Sequence, residues 1–169
     1  MVPDPGPHEI VAPENGQAIP CQLETCGKWP EHYLSFVAAD VPAFGYRTFS
    51  VRRGSGPVTT PQPDTSGPVL ENRFYRLTVD PDTGGLRSLW DKAVGRELVD
   101  ASSGYALNQY LHFSDGALYH PQLESIAARQ QPVTSSLTVE VSCLRARLRT
   151  TYLLRDGLSQ VDIVNELTK

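Results

Sequence analysis

The feature that most constrains the fold is the alternation of apolar and polar residues near the end of the chain. The stretch LRARLRTTYLLRDGLSQVDIVNEL, residues 144–167, holds Asp156-Gly157 between two alternating runs. A period of two indicates a β-strand with one buried face, and Asp-Gly is a strong signal for a two-residue hairpin turn. If these two residues form the whole loop, Arg147 lies opposite Glu166. The stretch therefore predicts an antiparallel hairpin with a type I′ turn.

This register sorts the side chains of the hairpin into two faces. The apolar face holds Leu148, Thr150, Tyr152 and Leu154 against Val161 and Ile163. The polar face holds Arg147, Arg149, Thr151 and Arg155 against Gln160, Asp162 and Glu166. Opposite charges across neighbouring strands suit a solvated face. We therefore expect the tyrosine and leucine side chains to be buried and the arginine side chains to be exposed.

Turn-forming residues occur throughout the chain, which contains 13 Gly and 14 Pro. No window of about 11 residues has a convincing helical period. The stretch LESIAARQQ, residues 123–131, is nevertheless compatible with one or two helical turns. Hydrophobic residues make up 40% of the chain, which is enough to bury a core. The prediction is an all-β protein of two β-sandwich-type segments joined by a Pro/Gly-rich linker.

The first segment, residues 1–53, is predicted to be a small β domain. Its expected strands are HEIVA, AIPCQLE, HYLSFVAA and GYRTFSV, with a tight turn at ENGQ, residues 14–17. Residues 54–68, GSGPVTTPQPDTSGP, contain no large apolar side chain except Val58. Such a composition buries too little surface to order itself, so this stretch is predicted to be an interdomain linker.

The second segment, residues 69–169, is predicted to begin a larger sandwich. RFYRLTV, LRSLWD and RELVD are its expected early strands, and DPDTGG and KAVG are the turns between them. Asp80, Asp82 and Asp91 lie in or beside these turns, where aspartate side chains commonly bond the backbone. We therefore expect structural roles for these three carboxylates and no part in acid–base chemistry.

Composition and charge exclude several classes of partner. The net charge is -4, which argues against nucleic acid or a membrane surface as a partner. No run approaches the roughly 18 apolar residues that cross a bilayer, and the start MVPDPGPHEI lacks the features of a secretory signal. Cys21, Cys26 and Cys143 do not have zinc-site spacing, so we expect idle thiols in a reducing compartment. These features together favour a cytoplasmic location.

The sequence shows no motif for catalysis or metal binding. The four histidines, His8, His32, His112 and His120, form no ligand pattern with each other or with cysteine or carboxylate. A nucleophilic serine would need an elbow such as G-x-S-x-G, which is absent. The GSG of the linker lacks the preceding strand and following helix of a phosphate loop. We therefore assign no catalytic residue and no metal ligand.

One stretch, GYALNQYLHFSDGALYHP at residues 104–121, mixes aromatic, amide and carboxylate side chains. Sugars are held by aromatic faces and by polar groups that bond their hydroxyls. The candidate carbohydrate-contacting residues are Asn108, Gln109, Tyr110, His112, Asp115 and Tyr119. The alternative is a loop-rich β edge whose aromatic side chains fill the core.

LENRFYRLTVDPDTGGLRSLWDKAVGRELVD, followed by LNQYLHFSDG and YLLRDGLSQVDIVNEL, resembles the C-terminal β region of family 38 glycoside hydrolases, the α-mannosidases. GQAIPCQLE and LSFVAADVPAFGYRTFSV are similar to the small β domain that precedes that region. The resemblance covers nearly the whole chain in the right order. It implies that the second segment is part of a galactose-mutarotase-like supersandwich.

The resemblance also implies that the chemistry lies outside this sequence. Such enzymes are retaining, with an Asp nucleophile and a second carboxylate as general acid. A zinc ion held by Asp and His side chains grips sugar hydroxyls. Those residues belong to an N-terminal barrel, and none of its motifs occurs here, so the expected partners of this fragment are that barrel, the rest of the sandwich and, through the parent enzyme, mannosides.

The family pattern further leads us to expect a chain cut at both ends and inactive alone. Two alternatives remain open. One is a stand-alone carbohydrate-binding or interaction module, which saturable binding of mannose or mannobiose would support. The other is a free-standing epimerase of mutarotase type, although the required convergent His and Glu cannot be identified.

Overall fold

The computed structural model describes residues 8–12, 14, 16–25, 32–54 and 67–169. In this part of the chain, strands make up 55% of the residues and no α-helix occurs. A single 3-10 turn spans Ala101–Ser103. The all-β prediction is confirmed.

The chain divides into two compact units. The first unit is Met1–Gln62 together with Gln131–Val133, and the second unit is Pro63–Gln130 together with Thr134–Lys169. The predicted linker falls mostly on residues 55–66, which lie outside the described residues. The second segment predicted from sequence includes residues 131–133, whereas the structure groups them with the first unit.

Five short strands build the first unit. They are β1 (His8–Val11), β2 (Ala18–Ile19), β3 (Cys21–Thr25), β4 (His32–Phe36) and β5 (Ser50–Arg53). One antiparallel sheet has the order β2-β1-β5, and β3 pairs with β4 in a second sheet. Both GYRTFSV and HYLSFVAA are shorter as strands than predicted. The segment between β4 and β5 contains Pro42 and Gly45. The N–H of Gly45 donates to the carbonyl of Pro42 at 3.1 Å, so this part of the chain forms a turn and not a strand.

A buried glutamine explains why a distant segment belongs to the first unit. The side chain of Gln22 in β3 is 3% exposed. Its Oε1 accepts a hydrogen bond from the backbone N–H of Val133 at 3.0 Å. Val133 is itself buried, as are Ile10 and Val11 of β1. Burying the amide is tolerated because it is hydrogen-bonded.

The second unit starts with a meander of four strands. They are β6 (Val69–Glu71), β7 (Tyr75–Val79), β8 (Leu86–Asp91) and β9 (Arg96–Glu97), paired in that order. The turns before and after β8 lie at the predicted positions. Asp80 accepts hydrogen bonds from the N–H of Asp82 and the hydroxyl of Thr83. Asp91 accepts from the N–H of Ala93 and of Val94.

A small hairpin follows, made of β10 (His112–Ser114) and β11 (Ala117–Tyr119). The last sheet has four longer strands in sequence order, β12 (Gln122–Arg129), β13 (Thr134–Cys143), β14 (Ala146–Arg155) and β15 (Val161–Thr168). The helical turn suggested for residues 123–131 is wrong, because β12 occupies that stretch. The pairing of β12 with β13 shifts between Leu123 and Ser125, and this irregularity breaks the strict alternation that marks a strand.

The two four-stranded sheets of the second unit share one core. The meander contributes Leu70, Leu77, Val79 and Leu86, and the last sheet contributes Ala128, Leu137, Val139, Val141, Leu148, Tyr152 and Leu154. Two antiparallel sheets that bury their inner faces against each other form a sandwich. Along β13 and β14 the burial alternates residue by residue, and for β14 the sequence predicts this alternation.

The predicted β14–β15 register is wrong by two residues, but the predicted faces are right. Glu166 lies opposite Arg149, whereas a two-residue loop would place it opposite Arg147. Gly157 has a φ of 79°, and Asp156 is not among the residues with positive φ, so the turn is not type I′. The N–H of Leu158 donates to the carbonyl of Arg155, and the ladder resumes only at Val161. A shift of two residues keeps each side chain on the same face.

Candidate functional site

The six carbohydrate-contacting candidates all lie in the second unit, but the structure does not bring them to one place. Tyr110, His112 and Tyr119 lie together in and before the β10–β11 hairpin. Asn108, Gln109 and Asp115 each serve local or core structure.

The aromatic group is held by the hairpin ladder. His112 and Tyr119 are direct cross-strand partners, and their ring centroids are 6.2 Å apart in an edge-on arrangement. The ring of Tyr110 lies 6.5 Å from that of His112, and its hydroxyl is 3.4 Å from Nδ1 of His112. Tyr110 is also packed against the core cluster. The hairpin therefore presents a compact group of three rings on one of its faces.

The side-chain amide of Asn108 forms hydrogen bonds within the sandwich of the second unit. Its Nδ2 lies 3.2 Å from Oδ1 of Asn165, and Nδ2 of Asn165 lies 2.9 Å from Oδ1 of Asn108. Nδ2 of Asn108 also reaches the hydroxyl of Tyr152 at 3.4 Å, while Oδ1 of Asn165 accepts from the hydroxyl of Thr150 at 2.7 Å. Burial raises the pKa of Tyr152, and the Asn108 hydrogen bond acts in the opposite direction. This network joins the loop before β10 to β14 and β15.

Gln109 and Asp115 shape turns. Oε1 of Gln109 accepts a hydrogen bond from the N–H of Ala106 at 2.9 Å. Asp115 and Gly116 have φ angles of 51° and 77°, as the two central residues of a type I′ hairpin turn require. The carboxylate of Asp115 accepts from the hydroxyl of Ser114 at 3.0 Å.

A cavity of about 580 Å³ opens beside the aromatic group. It lies between the β10 end and the inner face of the β14–β15 pair. Its lining includes Tyr110, His112, Leu144, Arg145, Leu167 and Lys169. Its volume lies in the range of about 300–1,000 Å³ that is usual for small-molecule sites. Only two of the six candidates predicted from sequence line it.

Four of these lining residues were not singled out from sequence, because they are far from Tyr110 in the chain. Leu144 and Arg145 form the two-residue turn between β13 and β14, and Leu167 and Lys169 lie at the end of β15. The turn at Leu144 follows from the strand register, which the sequence did not provide. The ladder pairs Cys143 with Ala146, so leucine occupies a tight-turn position that normally favours Gly or Asn.

A second concavity, of about 240 Å³, lies on the outer, polar face of the last sheet. It contains two carboxylates, Glu140 and Glu166, with Arg149 between them. Nη2 of Arg149 lies 2.6 Å from Oε1 of Glu140. This hydrogen bond to Arg149 holds the pKa of Glu140 below its ordinary value.

The described residues contain no group of three or more His, Cys, Asp or Glu side chains that could hold a metal ion. Cys21 and Cys143 are free thiols, and Cys26 lies outside the described part of the chain. The second unit thus offers an apolar cavity with basic side chains and a charge-matched outer sheet face.

The carboxylate of Glu97 organises the connection after β8. It accepts hydrogen bonds from the Ser88 hydroxyl at 2.6 Å and from the N–H of Leu89 at 2.7 Å. It also accepts from the N–H groups of Leu98 and Val99, both at 3.0 Å. Burial acts to raise the pKa of Glu97, but these hydrogen bonds outweigh it and lower the pKa below its ordinary value.

Stability should therefore fall in acid. A carboxyl group whose pKa is lowered by folding stabilises the fold above its unfolded pKa of about 4.3, and that contribution is lost as the pH falls through the folded pKa. The pKa values of Glu71, Asp100 and Glu140 are lowered as well. We expect the thermal midpoint, measured by circular dichroism at constant ionic strength, to decrease from pH 5 to pH 3.

The variant Glu97→Gln tests the assignment to this carboxylate. It should unfold at a lower temperature than the unmodified chain at pH 7 and lose less of its midpoint between pH 5 and pH 3. Equal acid sensitivity of the two proteins would contradict the role given to Glu97.

Within the described residues, no helix has the length and apolar character needed to span a membrane. No model of a known protein family matches the sequence, and no curated protein matches it either.

Proposed function

We propose that this chain is the non-catalytic β region of a retaining, zinc-dependent α-mannosidase. The observation that carries the proposal is the order of the resembling stretches, which run from GQAIPCQLE through LENRFYRLTVDPDTGG to YLLRDGLSQVDIVNEL along nearly the whole sequence. The all-β architecture with a sandwich in the second unit is compatible with that region. In the proposal, nucleophile, general acid and zinc ligands come from a barrel elsewhere in the parent enzyme.

The arrangement of the candidate residues supports a structural role over a sugar-binding one. The amides of Asn108 and Gln109 are engaged in hydrogen bonds within the fold. No Asp or Glu side chain lines the cavity beside Tyr110 and His112. In the parent enzyme this region would then support the barrel without contacting the reacting sugar.

The chain alone should not hydrolyse an aryl α-mannoside, with or without added zinc. A retaining mechanism needs two carboxyl groups about 5–5.5 Å apart across the glycosidic bond, and no motif for such a pair occurs here. The measurement is release of the aryl alcohol by purified protein, with buffer and an unrelated protein purified in the same way as controls. Turnover well above the control rate, retained through further purification, would falsify the proposal.

The second candidate function is a stand-alone carbohydrate-binding module, which the ring group of Tyr110, His112 and Tyr119 favours. The two functions differ in an NMR titration with mannose and mannobiose. Saturable shifts at these rings would support the module. The reading frame upstream of Met1 is a further test, because a barrel encoded there would support the mannosidase.

A further inference from the structure

We propose that Asp156-Gly157 is a site of covalent self-modification, at which the aspartate isomerises to isoaspartate. The proposal is independent of the mannosidase assignment. It rests on a comparison within the chain, because the dipeptide Asp-Gly occurs twice, at residues 115–116 and at residues 156–157. The structure places these two copies in different surroundings, and only the second leaves both reacting groups available.

The reaction needs only the aspartate side chain and the next backbone nitrogen. The nitrogen of Gly157 attacks Cγ of Asp156, and the hydroxyl of the protonated carboxyl group leaves as water with the amide proton. Water then opens the resulting succinimide ring at either of its carbonyls. Opening at Cγ restores aspartate, whereas opening at the backbone carbonyl leaves the main chain running through the side chain, with no change in mass. Glycine favours the attack because it has no Cβ beside the nitrogen.

Both reacting groups of the second copy lack hydrogen-bond partners. Within the part of the chain that the structure describes, the carboxylate of Asp156 accepts no hydrogen bond and the N–H of Gly157 donates none. Aspartate side chains in turns commonly bond the neighbouring backbone, as those of Asp80, Asp91 and Asp100 do. Asp156 is exposed and makes no such bond, so its carboxyl group is available to the nitrogen that follows it.

The connection that carries the second copy is weakly held at the dipeptide. Residues 156–160 join β14 to β15 and lie outside both strands. Among the described residues, one backbone hydrogen bond closes this connection, from the N–H of Leu158 to the carbonyl of Arg155, and it is long at 3.4 Å. The hydroxyl of Tyr75 lies 3.1 Å from Oγ of Ser159, beyond the dipeptide. Backbone outside a ladder opens at a small cost in free energy, so the two reacting groups can rotate into contact.

Asp115-Gly116 has the same chemistry in a more constrained setting. It forms the whole loop of the β10–β11 hairpin, since Ser114 pairs directly with Ala117. Both of its residues have the positive φ of a type I′ turn, and the hydroxyl of Ser114 donates to the carboxylate of Asp115 at 3.0 Å. Attack on this carboxyl group requires the hydroxyl bond and the turn to open together. We therefore expect this copy to react more slowly.

Peptide mapping with electron-transfer fragmentation distinguishes isoaspartate from aspartate at each position, so one sample of the purified chain, kept at 37 °C and pH 6, gives both rates. Isoaspartate should accumulate about tenfold faster at position 156 than at position 115, because opening the tighter turn costs additional free energy. The mapping also separates Asn15-Gly16, whose deamidation adds mass. Equal rates at the two positions, or no isoaspartate at position 156, would overturn the proposal.

The same measurement in urea tests whether the fold causes the difference. In the unfolded chain the two identical dipeptides should react at similar rates. A tenfold difference that persists in urea would assign the effect to neighbouring residues in the sequence and would contradict the structural explanation.

Two variants test the individual groups. Asp156→Glu keeps the charge but would have to close a larger ring, so it should abolish the modification at this position. Ser114→Ala removes the hydroxyl that bonds Asp115 and should raise the rate at position 115 about threefold while leaving position 156 unchanged. If Ser114→Ala leaves the rate at position 115 unchanged, the proposed cause of the difference is wrong. None of these results bears on the mannosidase assignment, which the turnover assay tests.

Discussion

Replacing Tyr152 with alanine should lower the free energy of unfolding by about 3–5 kcal/mol. The side chain is 0% exposed and belongs to the core that the two sheets of the second unit share. It is opposite Leu137 on one side and Ile163 on the other, at the middle of β14. Removing the ring leaves a cavity that rigid strands on both sides cannot close. Urea unfolding followed by circular dichroism measures the change.

Two further variants isolate the cause. Tyr152→Phe keeps the ring and loses only the hydroxyl, whose hydrogen bond to Asn108 is long at 3.4 Å, so it should cost under about 1 kcal/mol. Arg149→Ala removes an exposed ion pair with Glu140 and should also cost under about 1 kcal/mol. The burial assignment fails if Arg149→Ala is the most damaging of the three, since the arginine face would then be the inner one.

Replacing Gly84 with alanine should cost about 2–5 kcal/mol, the sum of two independent penalties. The residue has a φ of 72°, which costs an alanine about 1–2 kcal/mol. An added Cβ would also lie 2.5 Å from Cγ1 of Val141 and 3.4 Å from Cγ1 of Val139. Both valines are buried and branched, so they cannot rotate away, and overpacking of this kind costs about 1–3 kcal/mol.

Gly95 provides the matched control for this substitution. Its φ is 63°, and an added Cβ would meet nothing within 4 Å. Gly95→Ala therefore carries only the conformational penalty and should cost about 1–2 kcal/mol. Comparable losses in the two variants would mean that the turn at Gly84 does not press against β13, and that the two sheets are less closely packed there than the structure shows.

Acid unfolding and these core variants probe different contributions to the free energy of unfolding. The core of the sandwich is apolar, so its contribution should not depend on pH. The hydrogen-bonded carboxylates of Glu71, Glu97 and Glu140 belong to strands β6, β9 and β13 and lie outside the apolar core. Loss of stability in acid should therefore occur without any change in the ranking of Tyr152→Ala, Gly84→Ala and their controls.

Sequence alone determined which side chains of β14 face the core. A strand has a side-chain period of two, so the alternation of residue types carries the face directly. The turns at Asp80 and Asp91 were also predictable, because aspartate bonds its own neighbouring backbone and needs no tertiary partner. These are local properties, and the structure agrees with them.

The β14–β15 register was decided by the loop, which sequence did not determine. Asp156-Gly157 does form a turn, but the chain takes three more residues before the ladder resumes at Val161. The shift is even, so it changes pairing partners and leaves the faces unchanged. The stretch 123–131 lacks a strict apolar–polar alternation, so its sequence was also compatible with a helical turn. It forms strand β12 because pairing with β13 outweighs a weak local preference, and the pairing accommodates the irregularity as a shift in register.

The candidate site shows the same division most clearly. Residue types in 104–121 pointed to a ligand site, and Tyr110 and His112 do border a cavity. The amides and the Asp115 carboxylate of the same stretch are instead used by turns and by a bond to Asn165. Arg145 and Leu167 reach the cavity only because three hairpin connections fold the last sheet back beside β10. The sequence gives the chemistry of each side chain directly. Strand order and register decide which side chains share a cavity, and both are properties of the folded chain.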